Sequence, residues 1–170
     1  MKPTKPKSES PLEEPPPALH VKKVLVPIDF SGPSKKAFKY ALGFAQQFGS
    51  EIILTHVLEP QTARGENERS TPDVVLSAMD EVARAEKNLQ ALASSAPVTG
   101  NLYITSTLRR GVATHEILEV AKEFDVDLII TATHGLAGWK HFGMGSTADR
   151  VARAAPCPVL IVREKEREFI

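Results

Sequence analysis

Five short apolar runs alternate along the chain with longer segments in which apolar residues recur at helical spacing. About four to eight apolar residues in succession, bounded by turn residues, are typical of strands buried on both faces of a parallel sheet. We therefore predict strands at residues 21–29, 51–57, 102–108 and 126–133 and in the run PVLIVRE that begins at Pro158. The third run carries polar residues at alternate positions, which favours a place at the edge of the sheet.

Amphipathic helices are predicted between the strands, because each intervening segment presents its apolar residues on one face. The first is expected to end at Gly49, the second to run from Pro72 to near Ser95, the third to cover 113–123 and the fourth about 147–155. The apolar face of the first helix consists of Ala37, Tyr40, Ala41, Phe44 and Phe48, and that of the second of Val75, Met79, Val82 and Leu89.

The order β-α-β-α-β-α-β-α-β predicts an α/β fold, with a parallel sheet and helices on both of its faces through right-handed crossovers. The 170 residues suffice for one domain with a sizeable core and a modest extension. We expect that domain to span 21–164, between an extension at 1–20 and a charged tail at 165–170. The extension contains six prolines and hardly any bulky apolar side chain, so we expect it to be disordered.

Charge and cysteine content narrow the classes of partner and compartment. Lysine and arginine total 21, as do aspartate and glutamate, so no net charge attracts the chain to nucleic acid or to anionic lipid. No apolar run approaches the length of a membrane span, and the extension has the composition of neither a signal peptide nor a transit peptide. The single cysteine, Cys157, excludes an intramolecular disulfide and favours a reducing compartment. We therefore predict a cytoplasmic protein in which Cys157 is structural.

Ligands of open α/β sheets bind beyond the carboxyl ends of the strands, where the winding direction reverses. The segments that leave those ends, which we call the carboxyl rim, are 27–31, 56–60, 108–111 and 131–146. The last of them contains most of the glycine-rich stretch HGLAGWKHFGMGSTADR, which begins at His134. Glycine at this density, followed by two hydroxyl side chains, favours a loop that holds phosphate.

Known phosphate-binding patterns do not explain that stretch. The Walker A pattern fails because Met144 occupies the lysine position, and the dinucleotide fingerprint lacks the strand directly before it and the βαβ unit after it. What remains is a helix that starts at Ser146, whose unpaired N–H groups attract an anion. The local alternative is a capping box in which Ser146 and Asp149 satisfy the same donors. The two interpretations are not exclusive, because a cap uses only part of the donors.

The glycine-rich stretch also carries a family resemblance. The segment Ala132-TH-Gly135-LAGWKHFGM-Gly145-Ser146 keeps the spacing Gly-x2-Gly-x9-Gly-Ser/Thr, with Ala132 in place of the first glycine. On this segment, on VLVPIDFS and on APCPVLIVR, residues 22–163 resemble the universal stress protein family, and the glycine pattern is that of its nucleotide-binding members. The resemblance implies the strand order 3-2-1-4-5 and an adenine nucleotide, ATP, that carries Mg²⁺ with it. The methyl group of Ala132 is then expected near the ribose.

The resemblance also implies the roles of individual residues. Asp29, at the end of the first strand, is expected to accept hydrogen bonds from the ribose hydroxyls, and the backbone of Val57 to contact the adenine edge. Pro27 and Ile28 are expected to line the base pocket. The residues expected to hold the phosphates are Gly135, Gly145, Ser146 and Thr147. For Asp29 a structural alternative stays open, because a carboxylate beside a helix start often caps that helix.

The fifth strand suggests how the protein assembles. The implied strand order places residues 158–163, from Pro158 to Arg163, at an edge of the sheet, although PVLIV is apolar at every position. An exposed apolar edge promotes association, so we predict a homodimer through this strand, as is common in the family. The alternative is that the final EKEREFI covers the edge, for which its charges make it poorly suited.

The predicted function is that of an ATP-binding universal stress protein acting as a nucleotide-dependent regulatory module. Phosphoryl transfer to water needs a residue that orients the nucleophile, and we identify none, so slow ATP hydrolysis is left open and no catalytic residue is assigned. The histidines lack metal-ligand spacing, and no protein metal site is predicted. Two alternatives remain: an interaction-only stress protein that binds no nucleotide, and a true ATP hydrolase that depends on His134 or Lys140.

Overall fold

The computed structural model describes residues 18–60, 72–97, 102–133 and 145–165, and in these ranges the chain forms five strands and four helices. The strands are β1 (Lys23–Pro27), β2 (Glu51–Leu58), β3 (Ile104–Arg110), β4 (Leu128–Ala132) and β5 (Val159–Val162). The helices are α1 (Gly32–Phe48), α2 (Pro72–Ser94), α3 (Ala113–Glu123) and α4 (Ser146–Ala154). The predicted α/β class is confirmed, and each predicted element is present with small differences at its ends.

The five strands are parallel, and their order is β3-β2-β1-β4-β5, as the family resemblance implied. In the centre, Pro27 of β1 is level with Thr55 of β2, and Leu25 is level with Ile129 of β4 on the other side. The chain passes from β1 through β2 to β3 and then crosses back for β4 and β5. The winding direction therefore reverses between β1 and β4, which is where such a sheet opens a crevice for a ligand.

The core consists of two apolar layers, because successive strand residues face opposite sides of the sheet. Val24 and Ile52 belong to the layer under α1 and α2. Leu25 and Ile53 belong to the layer under α3 and α4. Helices cover both faces, which explains why the central strands are apolar at nearly every position.

Helix α2 departs from its predicted apolar face. Ala85 and Leu89, in its C-terminal half, are buried, but Leu76 and Met79 are 59% and 63% exposed. Met79, which the helical spacing places on the apolar face of α2, is therefore not buried. The helical period was identified correctly, but the strands against which α2 packs, β2 and β3, cover its C-terminal half.

The predicted helix stop at Gly49 is confirmed. Gly49 has a φ of 70°, and its N–H donates to the Ala45 carbonyl at 2.9 Å. A left-handed residue of this kind ends many helices, and glycine adopts it without steric penalty.

The predicted domain limits stay predictions, since residues 1–17 and 166–170 lie outside the described ranges. At the β5 edge, the Lys36 ammonium of α1 donates to the backbone oxygens of Arg163 and Glu164 at 3.0 and 3.1 Å. The chain that leaves β5 is thereby attached to α1. None of the helices in the described ranges is both long and apolar enough to cross a bilayer.

Candidate functional site

The carboxyl ends of β1 and β4 lie side by side where the winding direction reverses. Ile28 and Asp29 follow β1, and Ala132 is the last residue of β4. Ile28 and Ala132 are buried, and Asp29 is half-buried. This part of the rim combines apolar groups with a carboxylate, as small-molecule sites commonly do.

The Asp29 carboxylate is oriented by the turn that leads into α1. Its Oδ1 accepts hydrogen bonds from the Ser31 N–H at 3.0 Å and from the Ser31 hydroxyl at 2.5 Å. The N-cap of α1 is Ser31 itself, whose Oγ accepts from the Ser34 N–H at 3.2 Å. The alternative that Asp29 caps the helix is therefore wrong, because Ser31 performs that function.

Sequence reasoning missed two aromatic residues at this turn, Phe30 and His56. Phe30 has a φ of 65°, a left-handed conformation that is rare for a bulky residue. Its ring packs on the His56 ring, with 4.7 Å between the centroids and 47° between the planes. The Nδ1 atom of His56 lies 2.6 Å from the Ile28 carbonyl oxygen. No local pattern signals a left-handed Phe30, and no sequence motif assigns a role to His56.

Val57 lies where β2 runs past the end of β1. The pairing of these strands ends with the hydrogen bond from the Ile28 N–H to the Thr55 carbonyl, at 2.7 Å. Along a parallel strand, successive residues bond to opposite neighbours. Leu58 accepts from the Gly111 N–H on the β3 side at 3.1 Å. The backbone N–H and C=O of Val57 are consequently directed to the β1 side, beyond the point where β1 ends.

Helix α4 begins beside the end of β4. The Gly145 N–H donates to the Thr133 carbonyl at 2.8 Å, which holds the helix start against the strand. Gly145 is the N-cap, with φ −60° and ψ 147°, and the described residues provide no side-chain cap. The N–H groups of the first helical residues, Ser146, Thr147 and Ala148, have no partner within the helix, and the positive end of its dipole favours an anion there.

The capping-box alternative for this helix start is wrong. The capping box is not formed, because Ser146 is the first helical residue and the Asp149 carboxylate accepts from Arg153 Nε at 3.1 Å. The Gly145 N–H is not presented to a ligand, since the Thr133 carbonyl accepts it. The N–H groups at this helix start that lack a partner within the helix are those of the three residues after Gly145.

The predicted site residues in the described ranges all belong to one rim. They stand at the ends of β1, β2 and β4 and at the start of α4: Pro27, Ile28, Asp29, Val57, Ala132, Gly145, Ser146 and Thr147. Ser146 is exposed and Thr147 is half-buried. Gly135, together with His134 and Lys140, lies outside the described residues.

Cys157 lies before β5, at the end of the sheet opposite the rim. It packs against the core layer under α3 and α4. Burial raises the pKa of its thiol, and the negative charge of Asp127 raises it further. The neutral thiol is therefore favoured at neutral pH, which agrees with the predicted structural role because the thiolate is the reactive form.

Comparison with known proteins identifies the family. The model of the universal stress protein family matches residues 20–163. A universal stress protein from Methanocaldococcus jannaschii is 30% identical over 147 residues, which cover 86% of this chain and 85% of that protein. The structure of universal stress protein UspA from Lactobacillus plantarum is 26% identical with a TM-score of 0.68, and the match covers 86% of this chain and 100% of that chain.

A further solved structure is that of a universal stress protein in complex with cAMP. It is 25% identical to this chain with a TM-score of 0.65, and the match covers 86% of this chain and 100% of that chain. The family match extends from before β1 to the end of β5 and includes the whole described rim. The chain belongs to the universal stress protein family.

Proposed function

We propose that this protein binds an adenine nucleotide, ATP, at the carboxyl rim between β1 and β4 and works as a nucleotide-dependent regulatory module. The observation that carries the proposal is the start of α4, where three backbone N–H groups have no side-chain cap from the described residues. A helix start of this kind attracts phosphate through its unpaired donors and its dipole. The related structure with cAMP supports an adenine nucleotide as the ligand class.

The nucleoside is assigned to the ends of β1 and β2. Asp29 accepts hydrogen bonds from the ribose hydroxyls, and such charge-assisted bonds are among the stronger ones in proteins. The N–H and C=O of Val57 together match the adenine edge, which offers a ring nitrogen as acceptor and an amino group as donor. Pro27, Ile28 and Ala132 supply apolar contacts to the base and ribose.

The phosphates are assigned to the start of α4, where the amides and hydroxyls of Ser146 and Thr147 donate, with Gly135 as a further contact. Any residue can adopt the φ of −60° found at Gly145, so the absence of a side chain there matters more than backbone freedom. Mg²⁺ is proposed to arrive on the phosphates and to neutralise part of their charge. In the described ranges, no three His, Cys, Asp or Glu side chains converge to hold an ion by themselves.

Nucleotide binding, rather than catalysis, is the main activity that we propose. Hydrolysis requires a group that orients water toward the γ-phosphate. Of the carboxylates in the described part of the rim, Asp29 is held by Ser31 on the ribose side of the site, and Glu59 accepts the Ala113 N–H at the start of α3. We therefore propose at most slow ATP turnover and assign no catalytic residue.

We also propose a cytoplasmic homodimer that pairs along residues 158–163. β5 is the outermost strand on its side, and Val159, Leu160 and Ile161 remain partly exposed there. Apolar edges of this kind pair readily with a second chain. Light scattering is expected to give twice the mass of one chain, and Leu160→Lys is expected to give a monomer. A monomeric wild type would contradict this assembly.

Two measurements test the nucleotide proposal on the full chain. Mass spectrometry under native conditions is expected to detect an adenine nucleotide that co-purifies with the protein. Calorimetric titration with ATP and Mg²⁺ is expected to give one site per chain, with much weaker binding of GTP because its base presents a different edge. Absence of both a co-purified nucleotide and ATP binding would contradict the proposal and would favour the interaction-only alternative.

A further inference from the structure

Phe30 and His56 are the sequence neighbours of the candidate ribose residue and the candidate base residue. Phe30 directly follows Asp29, and His56 directly precedes Val57. The left-handed φ of 65° at Phe30 persists only where the surrounding structure holds it, since bulky side chains disfavour that conformation. The His56 ring, 4.7 Å from the Phe30 ring between centroids, belongs to those surroundings.

His56 also holds the backbone in front of Asp29. Its Nδ1 lies 2.6 Å from the Ile28 carbonyl, and because a carbonyl only accepts, Nδ1 carries the proton and donates it. The Ile28 N–H donates to the Thr55 carbonyl at 2.7 Å. Both polar backbone groups of Ile28 are thus attached to β2, one through backbone and one through the His56 side chain.

We propose that Phe30 and His56 form a positioning pair that fixes Asp29 relative to Val57. This inference rests on the proposed function, because it assigns the pair to the nucleoside half of that site. The ring contact and the Nδ1 bond hold the two β-strand ends at one spacing, so that a single nucleoside meets the carboxylate and the Val57 backbone together. The pair lies at the ends of β1 and β2, on the nucleoside side of the proposed site.

Two substitutions separate the contacts of His56. His56→Asn keeps a donor at the position of Nδ1 and removes the ring, whereas His56→Phe keeps a ring and removes the donor. Each substitution is expected to lower the affinities for ATP and for AMP by the same factor, about tenfold, because each removes one contact on the nucleoside side. His115→Asn, which changes an exposed histidine on α3, serves as the matched control and is expected to leave both affinities unchanged.

A double-mutant cycle separates positioning from a general effect on stability. In a chain that carries Asp29→Ala, His56→Asn is expected to change AMP affinity less than twofold, because the carboxylate that His56 positions is gone. An equal factor in both backgrounds overturns the proposal. Where circular dichroism shows that a His56 variant has lost its fold, Phe30→Gly takes its place, since glycine keeps the left-handed conformation and removes the ring contact.

The outcomes distinguish this inference from the proposed function. If wild type binds ATP and both His56 variants bind it equally well, the positioning pair is overturned and the nucleotide site stands. If wild type binds neither ATP nor AMP, both proposals are overturned. If the His56 variants lose affinity for ATP but not for AMP, the positioning pair is also overturned. The substitutions would then act on the phosphates that AMP lacks, not on the nucleoside.

Discussion

Helices α3 and α4 both begin at the carboxyl rim, but their N-termini are completed differently. At α3, the N-cap Val112 has no acceptor in its side chain, and Glu59 accepts the Ala113 N–H at 3.0 Å. Glu116 adds a second carboxylate in the first turn of α3. At α4, the N-cap is Gly145, and no side chain in the described part of the chain takes the place of Glu59.

This difference concerns charge as well as donors. At α3, two carboxylates of the protein complement the positive end of the helix dipole. At α4, the acidic residue of the first turn, Asp149, pairs with Arg153 one turn later. An anionic ligand is disfavoured at the first helix start and favoured at the second, although both lie on one rim. The protein's own carboxylates therefore favour an anion at the start of α4 rather than at the start of α3.

Giving α4 a cap like that of α3 is expected to have the largest effect. At Gly145, φ −60° and ψ 147° suit an N-cap, so Gly145→Asp is expected to cap the helix and raise the free energy of unfolding by about 0.5 kcal/mol. The same carboxylate occupies and repels the phosphate position, and calorimetry is expected to show ATP affinity at least roughly a hundredfold lower. Gly145→Asn caps α4 without adding a charge, and it is expected to lower ATP affinity less than Gly145→Asp does. Unchanged ATP affinity in Gly145→Asp would remove α4 from the site.

Removal of the ribose acceptor is expected to have the next largest effect. Asp29→Ala is expected to weaken ATP by about 1–3 kcal/mol, because a charge-assisted hydrogen bond is lost. The control, Asp29→Asn, keeps an acceptor oxygen for Ser31 and removes only the charge, so it is expected to lower ATP affinity less. An affinity for ATP that stays at the wild-type value in Asp29→Ala would show that the carboxylate serves only the turn.

Removal of the cap of α3 is expected to affect stability alone. Glu59→Ala leaves the Ala113 N–H without its acceptor and is expected to cost about 1 kcal/mol of unfolding free energy. Thermal denaturation then shifts downward by roughly 2–4 °C. Glu59→Gln retains an acceptor oxygen, and its denaturation temperature is expected to fall less than that of Glu59→Ala. A marked loss of ATP affinity in Glu59→Ala would mean that the α3 start also belongs to the site.

The smallest effect on ATP affinity is expected when the ion pair between Arg153 and Asp149 is removed. Arg153→Met leaves the Asp149 carboxylate without this partner near the proposed phosphate position, and ATP affinity is expected to fall about twofold, as for other exposed helix pairs. Arg150→Met removes the same charge from α4 without releasing Asp149. Equal affinities for the two variants in low salt would show that Asp149 has no influence on the ligand.

The sheet was predictable because its signals are local. Each central strand is a continuous apolar run, since helices cover both faces, and the alternation of strands and helices restricts the topology to a parallel sheet. The rim position of Asp29 and Ala132 follows from that topology. Their proposed roles, and that of Val57, came from the family resemblance rather than from any spacing within the chain.

The features that escaped prediction depend on residues far apart in sequence. Glu59 lies 54 residues from the Ala113 N–H that it accepts, so no capping motif signals it. The Ser146 capping box failed for the same reason, because the Thr133 carbonyl holds Gly145 and sets the helix start. Met79 follows the helical period of α2, but burial depends on where the sheet ends.

By itself, the order of apolar and polar residues determined the α/β class, the nine elements of the described ranges and the position of the carboxyl rim, where ligands of open α/β sheets bind. Periodicity along a helix or strand is a property of neighbouring residues, and a sequence displays it directly. Which helix start is capped by a carboxylate, and how the backbone of Ile28 is attached to β2, were decided by tertiary structure. These depend on side chains such as Glu59 and His56, which folding brings from distant positions to backbone groups that would otherwise lack a partner.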